Sequence, residues 1–119
     1  AHPLAVAAAL ATQKLYKDEG LFERAAELAP YWQDAIHSLK DARHVIDIRN
    51  AGLVGGVELE PRPGKPATRA YDVFVKAFEK GLLVRTTGAI IALSPPLIIS
   101  KAQIDELFTV LRDVLNDTD

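Results

Sequence analysis

The order of hydrophobic patterns along this chain predicts an α+β domain: a small antiparallel or mixed sheet covered on one face by helices. Three observations lead there. Helical periodicity fills the first third and the last fifth of the chain, with short runs of strand character between them. The first two of these runs, 45–48 and 53–59, are separated only by the turn-prone Asn50-Ala51-Gly52, the spacing of an antiparallel hairpin. Strands and helices do not alternate regularly, as they would in a doubly wound parallel sheet. At 119 residues the chain is long enough for one hydrophobic core and is read as a single domain, 1–119.

The elements follow in order. Pro3 suits the first turn of a helix, where its missing N–H has no partner to lose. The helix runs to Gly20, a C-cap after Lys17, Asp18 and Glu19. Between Leu4 and Ala11 every residue is apolar and five are alanine. A helix apolar all round is buried on more than one side, so this one is expected to meet a partner or another part of a longer polypeptide. The chain contains no methionine and opens inside this helix, so it reads as the interior of such a polypeptide. A second helix carries Leu21, Ala25, Leu28, Tyr31 or Trp32, Ile36 and Leu39 at helical spacing, and Pro30 is expected to kink or split it. In the hairpin, Val45, Ile46 and Ile48 face Leu53, Val54, Val57 and Leu59. Gly55 and Gly56 would weaken the second strand unless a bulge or a close neighbour needs them. Residues 61–70, with three prolines, form a loop. A short helix follows to Gly81, with Tyr71, Phe74, Val75 and Phe78 as its expected inner face. Two strands are then expected at 82–85 and 90–93, and an extended piece at 97–99. Ser100 and Gln103 fit a capping box ahead of a stripe of Ile104, Leu107, Phe108, Leu111 and Leu115.

Composition narrows the function classes. Charged residues are 25 % of the chain and the net charge is −2, so no basic face points to nucleic acid. Without cysteine there is no disulfide, zinc–thiolate site or thiol nucleophile, in keeping with a reducing cytoplasm. No run of about 18 apolar residues can cross a membrane, and no secretory leader is recognisable.

His2, His37 and His44 lie far apart without metal-ligand spacing. The glycines of Gly52–Gly56 lack the following Lys and hydroxyl of a phosphate loop and lie between strands. No nucleophile elbow and no isolated carboxylate pair is present, and all seven lysines fall on polar faces or in loops. Arg85, in the apolar run LLVRTTGAIIALSPPLIIS, remains. A guanidinium stays charged in apolar surroundings and matches a carboxylate bidentately. Arg85 is therefore either an edge-strand arginine that snorkels to water or pairs with an acid such as Glu58, or a receptor for a substrate carboxylate. Gly88 and the Ser94-Pro95-Pro96 corner favour the second role, because glycine lets backbone approach a ligand and prolines stiffen the turn.

GLLVRTTG, ALSPPLIIS and QIDEL, together with AHPLAVAAALA and IRNAGLVGGVEL, resemble the C-terminal part of class III, fold-type I, pyridoxal-phosphate aminotransferases, most closely the ω-amino acid:pyruvate (β-alanine:pyruvate) group. The resemblance spans all 119 residues in order. It implies a small C-terminal domain packed against a large domain, with the helix at 1–20 as the link, in a cytoplasmic homodimer whose active sites lie between subunits. Arg85 matches the family arginine that binds the α-carboxylate of the keto acid or amino acid and swings aside for an amine donor lacking one. Thr86, Thr87 and Gly88 line the same mouth. Family members commonly carry an acid after the motif glycine, where this chain has Ala89; any pairing of Arg85's neighbourhood with that acid is lost. The cofactor lysine, the aspartate at the pyridine nitrogen and the phosphate-binding residues belong to the family's large domain and have no matching positions here. The expected function is thus the substrate-recognising part of an ω-transaminase that moves an amino group from an ω-amino acid or amine to pyruvate, inactive as an isolated chain. The alternative is a non-catalytic module or split subunit that assembles with a separate large domain.

Overall fold

The computed structural model describes residues 2–119. Its elements are α1 (Pro3–Asp18), α2 (Leu21–His37) with a 3-10 turn (Ser38–Asp41), β1 (Val45–Ala51), β2 (Val54–Leu59), α3 (Thr68–Glu79), β3 (Arg85–Thr87), β4 (Ile90–Leu93) and α4 (Lys101–Asn116). The strands form one sheet in the order β1-β2-β4-β3, every neighbouring pair antiparallel. The predicted α+β layer is therefore present.

Alternation along β2 and β4 sends Val57, Leu59, Ile91 and Leu93 into the core. There they meet Leu28, Trp32 and Ile36 of α2 and Ile104, Phe108, Leu111 and Leu115 of α4. Trp32 and Phe108 pack edge to face with ring centroids 5.1 Å apart. Gly55 is the close-approach glycine. A Cβ there would come within 2.4 Å of Ile36 Cδ1 and 3.5 Å of Trp32 Nε1, so α2 lies directly on the backbone of β2.

Pro30 does not split α2, which runs as one helix through it. Pro30 and Ala26, whose carbonyl loses its donor, are both exposed, so water can serve that carbonyl. Leu28, Trp32 and Ile36 meanwhile anchor the helix on either side. At the α1–α2 joint, Gly20 takes the left-handed conformation (φ 57°, ψ 40°) that a helix end requires.

The third helix is rotated from the expected face: of the residues expected inside, Phe74 packs against the core but Tyr71 and Phe78 are 59 % and 64 % exposed, while Ala70, Val73 and Ala77 are buried. Small alanines allow close packing, and Arg69, one position over, is also drawn in. Its Nε donates to the Asp119 carbonyl at 3.1 Å and its Nη1 to the Glu60 carbonyl. Hydrogen bonds to a buried guanidinium settle the helix rotation in a way that apolar periodicity does not register.

Strand β3 begins at Arg85, three residues later than expected, because Leu82 is still tied to the end of α3 by its N–H to the Ala77 carbonyl at 2.8 Å. Residues 97–99 are not a strand. Ile99 N–H closes a turn on the Pro96 carbonyl at 3.0 Å, and the Arg24 guanidinium takes the carbonyls of Leu97 and Ile99 at 2.6 and 2.8 Å. The capping box is complete: Gln103 N–H donates to Ser100 Oγ at 3.2 Å and Ser100 N–H to Gln103 Oε1 at 2.9 Å. No residue of α1 is buried; Leu4 and Leu10 are 76 % and 62 % exposed. No helix among the described residues is long and apolar enough to cross a membrane.

Gly55→Ala forces Ile36, fully buried, out of its place and should cost roughly 1–3 kcal/mol in urea unfolding. Adding Ile36→Val, which deletes the clashing Cδ1, should return part of that loss. Ser100→Ala should cost about 1 kcal/mol, read as a lower unfolding midpoint at unchanged m-value.

Candidate functional site

The helices leave one face of the sheet open. The strand register places Arg49, Gly56, Ala92 and Arg85 in one row across all four strands of that face. The two side chains at the centre of the row are a hydrogen and a methyl, so it forms a shallow trough with an arginine at each end.

The two arginines are in different electrostatic states. Arg49 Nη2 is 2.8 Å from Glu58 Oε2 and Nη1 bonds the Asp47 carboxylate. These two acids, Glu58 first, raise the Arg49 pKa further above its ordinary value. Arg85 is exposed and, among the described residues, has no hydrogen-bond or ion-pair partner. Of the roles open to it, pairing with Glu58 is not the one adopted: Glu58 is paired with Arg49 and makes no ion pair with Arg85.

The β3–β4 ladder ends at the pair Arg85–Ala92. Beyond it the two chain segments part and enclose a hollow of about 220 Å³ lined by Leu83, Arg85, Ser94, Pro95 and, from α4, Leu107. Leu107 belongs to the apolar stripe that the α4 periodicity predicts, but only the tertiary packing carries it to this hollow. Thr86 is half-buried and Thr87 exposed; neither lines the hollow. Gly88, at φ 60°, makes the turn to β4, and Ala89 offers its carbonyl to Leu59 N–H at 2.9 Å, which binds that turn to β2.

The remaining candidates are dispersed. His2 is exposed ahead of α1, His37 Nε2 lies 3.1 Å from Asn50 Oδ1, and His44 Nδ1 lies 3.4 Å from Glu60 Oε2. Among the described residues no group of three or more metal-ligating side chains exists. Pyridoxal phosphate needs an enclosed lysine amine and a phosphate cradle, and the residues present do not fit it. No lysine among the described residues is buried and none lines the Arg85 hollow. Lys76, half-exposed, is bound to the Asp117 carboxylate at 2.9 Å.

The uncovered face of this α+β layer thus carries one arginine, Arg85, that has no partner among the described residues. Residues 1–115 match the family Aminotransferase class-III, and the chain belongs to that family. An Omega-aminotransferase from Caulobacter vibrioides is 60 % identical over 119 residues, which are all of this chain and 27 % of that protein. A Beta-alanine--pyruvate aminotransferase from Pseudomonas aeruginosa is 36 % identical over 116 residues, 98 % of this chain and 26 % of its own length. The crystal structure of a thermostable omega transaminase mutant from Pseudomonas jessenii superimposes with a TM-score of 0.89 at 28 % identity, covering 98 % of this chain and 27 % of that one. The chain thus spans about a quarter of the length of the relatives it matches.

A double-mutant cycle on unfolding stability should find a measurable coupling between Arg49 and Glu58, weakened by salt, and none between Arg85 and Glu58. Coupling of Arg85 to Glu58 would mean that the arginine is not free.

Proposed function

We propose that residues 1–119 are the small domain of a pyridoxal-phosphate-dependent ω-transaminase, and that Arg85 is its receptor for the carboxylate of pyruvate and of amino-acid substrates. The single observation that carries this reading is Arg85 itself, an unpaired guanidinium exposed at a hollow, in a chain 60 % identical to an Omega-aminotransferase. A planar cation on a three-residue edge strand can hold a carboxylate with two charge-assisted hydrogen bonds and can also turn away when the substrate has none.

The rest of the enzyme would lie N-terminal to α1, with α1 as the link into a large domain, and two such chains would form a cytoplasmic dimer. The bare apolar surface of α1 supports this, since Leu4 and Leu10 gain from cover by further protein. Pyridoxal phosphate, held by that larger part, supplies the carbonyl chemistry that takes and returns the amino group. This chain's contribution is to bind and orient the acid, so by itself it is inactive.

In the full-length enzyme, Arg85→Ala should reduce kcat/KM for pyruvate by roughly 2–4 kcal/mol of transition-state binding while sparing amine donors that lack a carboxylate. Steady-state kinetics with a fixed amine and varied acceptor reads this directly. Equal loss for both kinds of substrate would overturn the receptor role.

A further inference from the structure

The Arg85 hollow holds a second polar group that the proposed carboxylate receptor does not yet use. Ser94 stands on β4's continuation, two residues beyond Ala92, the cross-strand partner of Arg85. The ladder has ended there, and Ser94 and Arg85 line the same hollow of about 220 Å³, so one anion in it can take a hydrogen bond of about 2.8 Å from each.

The chain also leaves this hydroxyl without local employment. Serine side chains in turns commonly accept from the amide one or two residues ahead. Here those positions are Pro95 and Pro96, neither of which has an N–H. Among the described residues Ser94 Oγ has no hydrogen-bond partner. Pro95 further confines Ser94 to extended backbone, which limits where its side chain can point. The contrast with Ser100 is instructive: six residues on, with no proline ahead, its hydroxyl is consumed by the capping box.

We infer that Ser94 is a substrate-binding residue whose hydroxyl donates to the carboxylate that Arg85 holds, fixing the tilt of its plane and so the direction of the attached carbonyl carbon. The inference rests on the Arg85 reading above and adds to it a specificity-determining residue. The guanidinium supplies charge but sits on a long, mobile stem; the serine is short and backbone-restrained. A carboxylate gripped by both is therefore held in one orientation rather than several. The other residues that line the hollow, Leu83, Pro95 and Leu107 among them, are apolar.

The test uses the full-length enzyme loaded with its cofactor, with pyruvate as the varied acceptor and a carboxylate-free amine as donor. Ser94→Ala should raise KM for pyruvate about tenfold, the scale of one hydrogen bond to a charged group. The change should fall mainly on KM, with a much smaller effect on KM for the amine. Ser94→Thr, which keeps the hydroxyl, should recover most of the loss. If Ser94→Ala leaves pyruvate KM unchanged while Arg85→Ala raises it, the Ser94 assignment is overturned and the Arg85 reading stands. An equal loss for pyruvate and amine, unrescued by threonine, marks a structural serine and overturns the assignment as well. If Arg85→Ala also spares pyruvate, the receptor reading underneath is wrong.

Discussion

The close seating of α2 on the backbone of β2 governs the arrangement of the rest. Because Gly55 has no side chain, Ile36 and Trp32 reach the strand itself. The three helices α2, α3 and α4 then crowd onto a single face, where Trp32, Ile36, Ile91, Ile104 and Leu111 are fully buried. An antiparallel sheet of four strands with α2, α3 and α4 on one side keeps its other face free of helices. Here that face is a trough of Gly56 and Ala92 with an arginine at either end. The core and the candidate site are thus two sides of the same four strands, and whatever loosens the glycine contact also moves the row that carries Arg85.

The division of labour between the two arginines follows from their neighbours. Arg49 lies on a long strand beside Asp47 and across from Glu58, and its charge is spent within the fold. Arg85 lies on a three-residue edge strand whose partner β4 offers only isoleucine, alanine and leucine, so its charge is unspent. An uncompensated guanidinium on an apolar rim costs little while water covers it and binds strongly when an anion displaces that water. The same argument places the proline pair. By removing two amides it stiffens the rim and leaves Ser94 Oγ without a nearby donor.

The first helix and the open face bear on one another. Neither is finished by the residues present, as the exposure of Leu4 and Leu10 and the hollow at the end of the β3–β4 ladder both show. Membership of the class-III aminotransferase family, with coverage of about a quarter of each relative, gives that incompleteness a plain origin in the larger architecture of those relatives.

What could be read from residue order was whatever depends on neighbours in the chain. The capping box of Ser100 and Gln103, the α2 stripe through Leu28, Trp32 and Ile36, the α4 stripe, the β1–β2 hairpin and the need for a close neighbour at Gly55 all rest on short-range spacing, and all are present, although the hairpin turn falls at Gly52-Leu53 because β1 stays paired through Asn50 and Ala51. Arg85 stood out for the same local reason, a charge within an apolar run. Tertiary structure decided whatever depends on distant partners. It rotated α3 so that Arg69 reaches Glu60 and Asp119, turning Tyr71 and Phe78 outward. It let α2 continue through Pro30, and it gave the carbonyls of residues 97 and 99 to Arg24 instead of a strand. It assigned Glu58 to Arg49 and brought Leu107 beside Arg85. Apart from the run through Pro30, each of these joins different segments of the chain, and a hydrogen bond, an ion pair or a buried side chain there outweighs a local preference of about a kcal/mol.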